Sequence, residues 1–246
     1  MRGKGDWPMR RSSAVRQQNG SEEQLTSPAP AILFDLDGTL LDSNYEHVVA
    51  WRLALRRAGV KISNAFLHRC IGMRGELLIK TVFKEIGRAV TNEQKDRLED
   101  LHKKYFQKTL SSVRPLPGSS SLLKALSQRK ISWAIATGGD RESVHRMIRP
   151  LPIPTGTPVI TADHVEQAKP EPDVFLAAAG QLGTALSDCI VVGDSVWDLL
   201  GARRAKALGI GLRCGGYGEA ELVQAGAYRV YKDPAELLDH LAEIGI

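Results

Sequence analysis

Six short apolar runs recur along the chain, and helical patterns separate most of them. Apolar runs of this length, bounded by polar and turn-forming residues, are typical of strands that are buried on both faces of a sheet. Strands that alternate with helices predict a parallel sheet covered by helices on both sides, that is, an α/β fold. The predicted strands are Ala31–Phe34, Ile131–Ala136, Pro158–Thr161, Cys189–Val192, Leu208–Leu212 and the less regular Ala227–Tyr231.

One long helical stretch interrupts this alternation between the first two predicted strands. From Glu46 to Val113 the pattern is helical throughout, and no strand is evident there. We interpret the stretch as a helical cap inserted into a Rossmann-like parallel-sheet core, to which Pro115, Pro117 and Gly118 return the chain. The predicted core spans 30–45 and 115–246, and the predicted cap spans 46–114. The predicted helices are His47–Ala58, Glu76–Ile86 and Glu93–Leu110 in the cap, and Ser120–Gln128, Glu142–Ile148, Asp173–Leu182, Val196–Ala207 and Ala235–Ile244 in the core.

Residues 1–29 differ in composition from the rest of the chain, because they mix Arg, Gln, Ser, Gly and Pro with only isolated apolar residues. A segment of this kind has too little apolar surface to form a packed core, so we predict a disordered N-terminal arm. It also lacks the continuous apolar region that a secretory signal needs.

Composition and charge narrow the function classes. None of the apolar stretches in the 246 residues approaches the roughly 20 residues needed to cross a bilayer, which excludes a membrane-embedded pump and predicts no membrane partner. The net charge of +5 is dispersed, so nucleic acid is not favoured as a partner, although the basic arm leaves it open as an alternative. Cys70, Cys189 and Cys214 lie far apart, and we interpret them as buried small residues in a reducing compartment, which predicts a cytoplasmic protein.

Two carboxylates follow the first predicted strand, in the sequence Asp35-Leu36-Asp37-Gly38-Thr39. Ending a buried strand with two acidic side chains is unfavourable unless something binds there. Gly38 and Thr39 permit a turn after the strand, and we expect this turn to present backbone N–H groups to an anion.

Polar residues also follow the other predicted strands. Thr137 comes after the second strand, Lys169 precedes two prolines in a later loop, and Asp194 and Asp198 follow the strand at Cys189–Val192. Taken singly, a threonine or lysine in such a place is most often a helix cap or a solvated charge. The carboxyl ends of parallel strands meet at one edge of the sheet, however, so these side chains are expected to form one binding site.

Taken in order, these four groups of residues resemble the motifs of the haloacid dehalogenase superfamily. Asp35 to Thr39 resemble the first motif, Thr137 the second, Lys169 the third, and Gly193-Asp194 through Asp198 the fourth. The resemblance extends over residues 31–244, and the inserted helices resemble the cap of the phosphoglycolate phosphatase and beta-phosphoglucomutase branch.

The resemblance implies a role for each residue. Asp35 is expected to be a nucleophile that forms an aspartyl-phosphate, and Asp37 a general acid and base. Lys169 and Thr137 are expected to bind the phosphoryl group. Mg²⁺ is the implied cofactor, held by Asp35, Asp194 and the main-chain carbonyl of Asp37, while Asp198 is expected to hold water on the metal.

The resemblance leaves more than one activity open. Dehalogenases and phosphonatases of this superfamily lack the second aspartate, so Asp37 favours hydrolysis of a small phosphate monoester. A catalytically idle relative is not favoured, because the four residues it would usually have lost are all present: Asp35, Asp37, Lys169 and Asp194. His47 keeps a beta-phosphoglucomutase-like mutase as the alternative, because similar mutases carry a histidine at this place. Arg74 is a candidate for a second anionic group of the substrate. The expected partner is a small phosphorylated metabolite, and the expected assembly is a monomer or homodimer.

Overall fold

A computed structural model describes residues 29–167 and 169–246, and nearly all of the predicted arm, residues 1–28, lies outside the described residues. The strands are β1 (Ala31–Phe34), β2 (Leu41–Asp42), β3 (Arg114–Pro115), β4 (Trp133–Ala136), β5 (Val159–Ile160), β6 (Cys189–Gly193), β7 (Leu208–Leu212) and β8 (Ala227–Tyr231). Six parallel strands form the central sheet, in the order β5-β4-β1-β6-β7-β8, and two short antiparallel strands, β2 and β3, form a second sheet.

The predicted α/β fold is confirmed, and each of the six predicted strands overlaps a strand of the central sheet. All four residues of β1 are buried, as expected for a strand between two parallel neighbours. Ile32 and Phe34 belong to the apolar core on one side of the sheet, whereas Leu33 belongs to the core on the other side, together with Phe175. This alternation follows from the two-residue period of a strand. Because β1 lies between β4 and β6, its end lies in the interior of the sheet and not on an edge strand.

Ten α-helices accompany these strands in the described residues, and four of them lie between β2 and β3 in the chain. They are α1 (Asn44–Arg57), α2 (Asn64–Cys70), α3 (Gly75–Glu85), α4 (Asn92–Phe106), α5 (Ser119–Gln128), α6 (Arg141–Met147), α7 (Asp173–Gln181), α8 (Val196–Arg204), α9 (Glu219–Ala225) and α10 (Pro234–Asp239). None of the helices in this described part is both long enough and apolar enough to cross a bilayer.

The inserted helices α1 to α4 enclose an apolar core of their own, which is centred on Trp51, Leu67, Ile79 and Phe83. Antiparallel pairing of β2 with β3 closes the insertion, because Leu41 lies opposite Pro115 where the chain leaves and re-enters the core. This two-stranded sheet was not predicted from the sequence.

Four helices differ most from the sequence prediction, and one of them, α9, was missed because its seven residues are too few to show a helical period. The short helix α2 was missed, although Ser63 caps it by accepting a hydrogen bond from the Phe66 N–H. The helix α4 ends at Phe106 rather than at Leu110, because the Thr109 hydroxyl donates to the Phe106 carbonyl in a following turn. The last helix ends at Asp239, and a separate 3-10 turn covers Leu241–Ile244.

Candidate active site

Strand β1 delivers Asp35 to the carboxyl edge of the sheet, where its N–H donates to the Val192 carbonyl. The Asp35 side chain is buried and pairs with the Lys169 ammonium group. Lys169 is also buried, and its Nζ lies 2.7 Å from Asp198 Oδ1. Burial alone would lower the pKa of Lys169, but Asp198 and Asp35 outweigh it and raise the pKa. Lys169 is therefore held as a cation beside the predicted nucleophile.

Three buried carboxylates meet at this edge, since one oxygen from each of Asp35, Asp194 and Asp198 lies within 4.8 Å of the other two. Asp194 follows β6, and it accepts hydrogen bonds from Thr39 Oγ1 at 2.9 Å and from Asn44 Nδ2 at 2.9 Å. Burial raises the pKa of Asp194 to about 7, with a further contribution from Asp198, although these two hydrogen bonds oppose the rise.

The charges of this cluster do not balance. Among the described residues, Lys169 is the only cation paired with any of the three carboxylates, through Asp35 and Asp198, so three acidic groups face one positive charge. Burial raises the pKa of Asp35 well above its ordinary range, even though Lys169 opposes the rise. A hard divalent cation prefers carboxylate oxygens and would supply the missing positive charge. The three side chains could therefore hold a metal ion.

The protein contacts of Asp198 were not predicted from the sequence. Its Oδ2 accepts hydrogen bonds from the Ser195 N–H at 3.1 Å and from Ser195 Oγ at 2.5 Å, which cap the start of α8. Its other oxygen, Oδ1, lies against Lys169. Through this contact Asp198 holds the Lys169 ammonium group in place. The contact of Asp198 with a metal-bound water remains a prediction.

The loop after β1 is a tight turn that Gly38 makes possible, with φ of +78°. The expectation that this turn presents its N–H groups to an anion does not hold for Gly38 and Thr39. The Gly38 N–H donates to the Leu41 carbonyl at 2.7 Å, and the Thr39 N–H donates to the Leu36 carbonyl at 3.3 Å, so the turn itself uses both donors. A Cβ atom at Gly38 would lie 2.4 Å from Asp194 Oδ2, so a larger residue would displace the carboxylate cluster.

Asp37 lies beside this cluster and its two oxygens have different surroundings. Asp37 Oδ1 accepts a hydrogen bond from Ser43 Oγ at 2.5 Å and lies 3.3 Å from His47 Nε2. Asp37 Oδ2 lies 3.4 Å from Thr137 Oγ1. Burial alone would raise the pKa of Asp37, but the interactions with His47 and Ser43 lower it. The predicted acid–base group is therefore a carboxylate in the free protein.

A cavity of about 350 Å³ connects these residues with the inserted helices. Its lining includes Asp35, Asp37, Thr137 and Lys169 from the core, and Trp51, Met73, Leu78, Glu99 and His102 from the insertion. Arg74 lines the cavity too, but its guanidinium donates to the Glu166 carbonyl. All the predicted site residues therefore lie at or beside one cavity, since the buried Asp194 and Asp198 adjoin Asp35, which lines it.

Several residues of the site were not predicted from the sequence. Asn44 begins α1 and reaches Asp194, while Gly215 lies so close that a Cβ atom there would meet Asp194 Oδ2 at 1.7 Å. His102 lies on α4, and its Nε2 is 3.1 Å from His47 Nδ1. His47 with Trp51, and His102 with Phe106, are pairs four residues apart on α1 and α4. Such spacing places each pair on one helix face and is the signal that could have identified His102.

The cysteines fit the sequence interpretation only in part. All three are free; Cys70 and Cys189 are buried, whereas Cys214 is partly exposed. The Cys214 thiol lies 3.2 Å from the Gly38 carbonyl, next to the turn that carries Asp37. Burial raises the pKa of the Cys70 and Cys189 thiols to about 11. These two thiols are therefore protonated near neutral pH.

Comparison with known proteins agrees with this geometry. Residues 32–211 match the haloacid dehalogenase-like hydrolase family. The crystal structure of a hydrolase from Pseudomonas syringae superposes with a TM-score of 0.86 and 41% identity, covering 88% of this chain and 100% of that one. Hexitol phosphatase A of Escherichia coli (strain K12) is 32% identical over 66% of this chain and 73% of its own length. Beta-phosphoglucomutase of Bacillus subtilis (strain 168) is 25% identical over 74% of this chain and 82% of its own.

The family match extends over more than half of the chain and includes every predicted catalytic residue. The similar crystal structure covers the sheet and the inserted helices together, since 88% of this chain superposes on it. The chain therefore belongs to the haloacid dehalogenase-like hydrolase family.

Proposed function

We propose that this hydrolase is a magnesium-dependent phosphatase that cleaves a small phosphate monoester through an aspartyl-phosphate on Asp35. The observation that carries the proposal is the buried contact of Lys169 with both Asp35 and Asp198, in a cluster of carboxylates at the end of a cavity. A carboxylate that is held next to a cation and faces a cavity suits a nucleophile that must approach a phosphate dianion.

In the first step, an Asp35 oxygen attacks phosphorus and the bond between phosphorus and the leaving oxygen breaks. Asp37 transfers a proton to that oxygen, which departs as an alcohol. Asp37 is a carboxylate in the free protein, and the approach of a phosphate dianion favours its protonation. In the second step, Asp37 accepts a proton from water, the water oxygen attacks phosphorus, and Asp35 is released with inorganic phosphate.

The residues around Asp35 have separate tasks in this scheme. Lys169 and Thr137 bind the phosphoryl oxygens and hold them in line for the displacement. Mg²⁺ would be held by Asp35, Asp194 and the main-chain carbonyl of Asp37, and when bound it would neutralise charge that builds up on the phosphoryl group. Asp198 would orient Lys169 and a water molecule on the metal.

We infer a small, partly apolar and hydroxyl-bearing leaving group. A cavity of about 350 Å³ is at the small end of the range for ligand sites, and Trp51, Leu78 and Glu99 offer it both apolar contact and a hydrogen-bond acceptor. The similarity to a hexitol phosphatase supports a sugar or polyol phosphate. We also infer a cytoplasmic enzyme, in line with its free cysteines.

A panel of phosphate esters tests the proposal. Purified protein is incubated with Mg²⁺ and with sorbitol 6-phosphate, fructose 1-phosphate, phosphoglycolate or p-nitrophenyl phosphate, and released phosphate is measured. Asp35→Asn is the inactive variant, and Asp188→Asn, an exposed aspartate before β6, is the matched control. We expect the wild type and the control to release phosphate and Asp35→Asn to release none. Equal rates for all three proteins would refute the proposal.

A phosphoryl mutase is the second candidate. It is favoured by the contact of His47 with Asp37 and by the similarity to beta-phosphoglucomutase. A mutase must protect its aspartyl-phosphate from water until a sugar hydroxyl attacks it. Incubation with beta-glucose 1-phosphate and a trace of the 1,6-bisphosphate separates the two. Conversion to glucose 6-phosphate much faster than phosphate release would make the enzyme a mutase.

A further inference from the structure

One acidic side chain of the insertion lines the cavity in close contact with the backbone of its wall. Glu99, on α4, is half-buried and lines the cavity together with Trp51 and Leu78. Its carboxylate lies over the start of α3, since a Cβ atom at Gly75 would be 2.9 Å from Glu99 Oε1. Because Gly75 has no side chain, the carboxylate can lie this close to the wall and still border the cavity.

The cations near Glu99 have other partners. In the part of the chain that the structure describes, Arg74 donates to a main-chain carbonyl, Lys95 pairs with an acidic residue of α3, and Lys103 pairs with two acidic residues at the start of α6. None of these three described cations forms an ion pair with Glu99. Burial raises the pKa of Glu99, although Arg74 opposes the rise. A hydrogen-bond donor that enters the cavity would therefore stabilise the charged form of Glu99.

The leaving group is the part of the substrate that can reach Glu99. Asp35, Thr137 and Lys169, which act on the phosphoryl group in the proposed function, line the cavity from the core. With the phosphoryl group held by these residues, the rest of the substrate extends toward the inserted helices, and α4 presents Glu99 to it. The chemistry of Glu99 therefore bears on the leaving group and not on the transferred phosphoryl group.

We propose that Glu99 determines specificity: its carboxylate accepts hydrogen bonds from hydroxyl groups of the leaving group and disfavours a leaving group that carries a second negative charge. An ionised carboxylate only accepts hydrogen bonds, and those that it accepts are among the stronger ones in proteins. A second anion would instead meet a like charge in a site partly removed from water, where repulsion is stronger than in solvent.

Arg74 does not remove this repulsion. Its guanidinium is engaged by a carbonyl, and its charge acts on Glu99 without pairing with it. The inference rests on the phosphatase activity of the proposed function and narrows its substrate class to esters of a neutral polyol or sugar, as opposed to esters of a sugar acid.

A matched pair of esters tests this inference. Sorbitol 6-phosphate and 6-phosphogluconate carry the same phosphoryl group and the same secondary hydroxyls. They differ at the far end of the chain, which is a hydroxymethyl group in sorbitol 6-phosphate and a carboxylate in 6-phosphogluconate. We expect the wild type to show a kcat/KM at least about tenfold higher for sorbitol 6-phosphate, because a hydrogen bond to a charged group contributes about tenfold or more in affinity.

The variant Glu99→Gln keeps the shape of the side chain and removes its charge. It should reduce the preference to less than about threefold, with a lower kcat/KM for sorbitol 6-phosphate and a higher one for 6-phosphogluconate. Glu93→Gln, at an exposed residue of α4 outside the cavity lining, is the matched control and should keep the preference of the wild type. Circular dichroism and thermal unfolding establish that both variants are folded.

Three kinetic outcomes would overturn the inference. The first is a wild type without the preference, and the second is a Glu99→Gln variant that keeps it. The third is an equal fall of kcat/KM for both esters in Glu99→Gln, which would show that Glu99 serves packing alone.

Binding measurements separate this inference from the proposed function. Isothermal titration calorimetry with the Asp35→Asn protein and Mg²⁺ gives the Kd of each ester without turnover. We expect sorbitol 6-phosphate to bind at least about tenfold more tightly than 6-phosphogluconate, and the added change Glu99→Gln to bring the two Kd values within about threefold. Equal Kd values in Asp35→Asn would overturn the role of Glu99 even in an active phosphatase. A wild type that hydrolyses neither ester would refute the proposed function, and the Kd values would still decide the role of Glu99.

Discussion

The replacement Asp194→Asn should stabilise the metal-free protein at pH 8. Burial raises the pKa of Asp194 to about 7 from an ordinary value of 3.8. A carboxyl group whose pKa is higher in the folded than in the unfolded state contributes stability that is complete below pH 3.8 and is lost as the pH rises through 7. Above pH 7, the wild type must therefore fold with an unfavourable buried charge that asparagine does not carry.

The size of the effect follows from the difference between the pKa of Asp194 in the folded state and its ordinary value. The difference between 3.8 and about 7 corresponds to about 4 kcal/mol, at about 1.4 kcal/mol per pH unit. Asparagine keeps an acceptor for Thr39 but turns an amide toward Asn44 Nδ2, which removes one hydrogen bond worth about 1–2 kcal/mol. The net gain is about 2–3 kcal/mol at pH 8, or a rise in Tm of about 4–10 °C. At pH 5 the folded wild type is protonated at Asp194, and the gain should nearly vanish.

Thermal unfolding in EDTA, at pH 5 and at pH 8, measures this difference directly. Asp188→Asn is the control, because Asp188 is exposed and precedes β6, whereas Asp194 follows the same strand. Added Mg²⁺ should reverse the order, since a ligand that binds only the folded wild type raises its Tm. A variant that is no more stable than the wild type at pH 8, or that shows an equal gain at both pH values, would refute the electrostatic reasoning.

The remaining predictions concern catalysis and charge pairing. Asp35→Asn should lower phosphate release at least a hundredfold with a normal far-ultraviolet spectrum, and a rate above about one tenth of the wild type would remove Asp35 from the mechanism. EDTA should abolish activity and Mg²⁺ should restore it, whereas Ca²⁺ should restore it poorly because its coordination is larger and looser; full activity in EDTA would contradict this. Lys169→Met should destabilise the metal-free protein by about 3–5 kcal/mol in urea unfolding at pH 8, because two buried carboxylates lose their partner, and adding Asp198→Asn should recover part of the loss. A neutral effect of Lys169→Met would show that the pair is already protonated.

The sheet could be predicted from the sequence because each strand is a short apolar run that ends at polar or turn-forming residues. Residues 31–34 form an apolar run that two parallel neighbours bury completely, and Asp35 then marks the strand end. The residues that follow parallel strands lie at the same carboxyl edge of the sheet. The sequence alone could therefore place four of them in one site: Asp35, Thr137, Lys169 and Asp194. Strand boundaries differ by a residue or two, as expected where turns compete with pairing.

Helices of the insertion were harder to predict, because their ends depend on side-chain hydrogen bonds rather than on apolar spacing. The seven residues of α2 are too few for a helical period to be evident, and the Ser63 cap that starts the helix is a single hydroxyl. Likewise, the turn after α4 follows from the Thr109 and Ser112 hydroxyls, which bond to nearby carbonyls.

The contacts that bring the inserted helices to the site could not be predicted, because they join residues far apart in the chain. Asn44 and Asp194 are 150 residues apart, and His47 and His102 are 55 apart. Both contacts begin on α1, whose first turns carry Asn44 to the carboxylate cluster and His47 to Asp37. The packing of α1 against α4 then places His102 behind His47, with Phe106 and Trp51 stacked on the two rings. Asp35 and Asp37 thus share one loop at the sheet edge, but the Asp37 side chain is also held by Ser43 and His47, so the fit between α1 and the sheet edge affects how Asp37 faces the cavity.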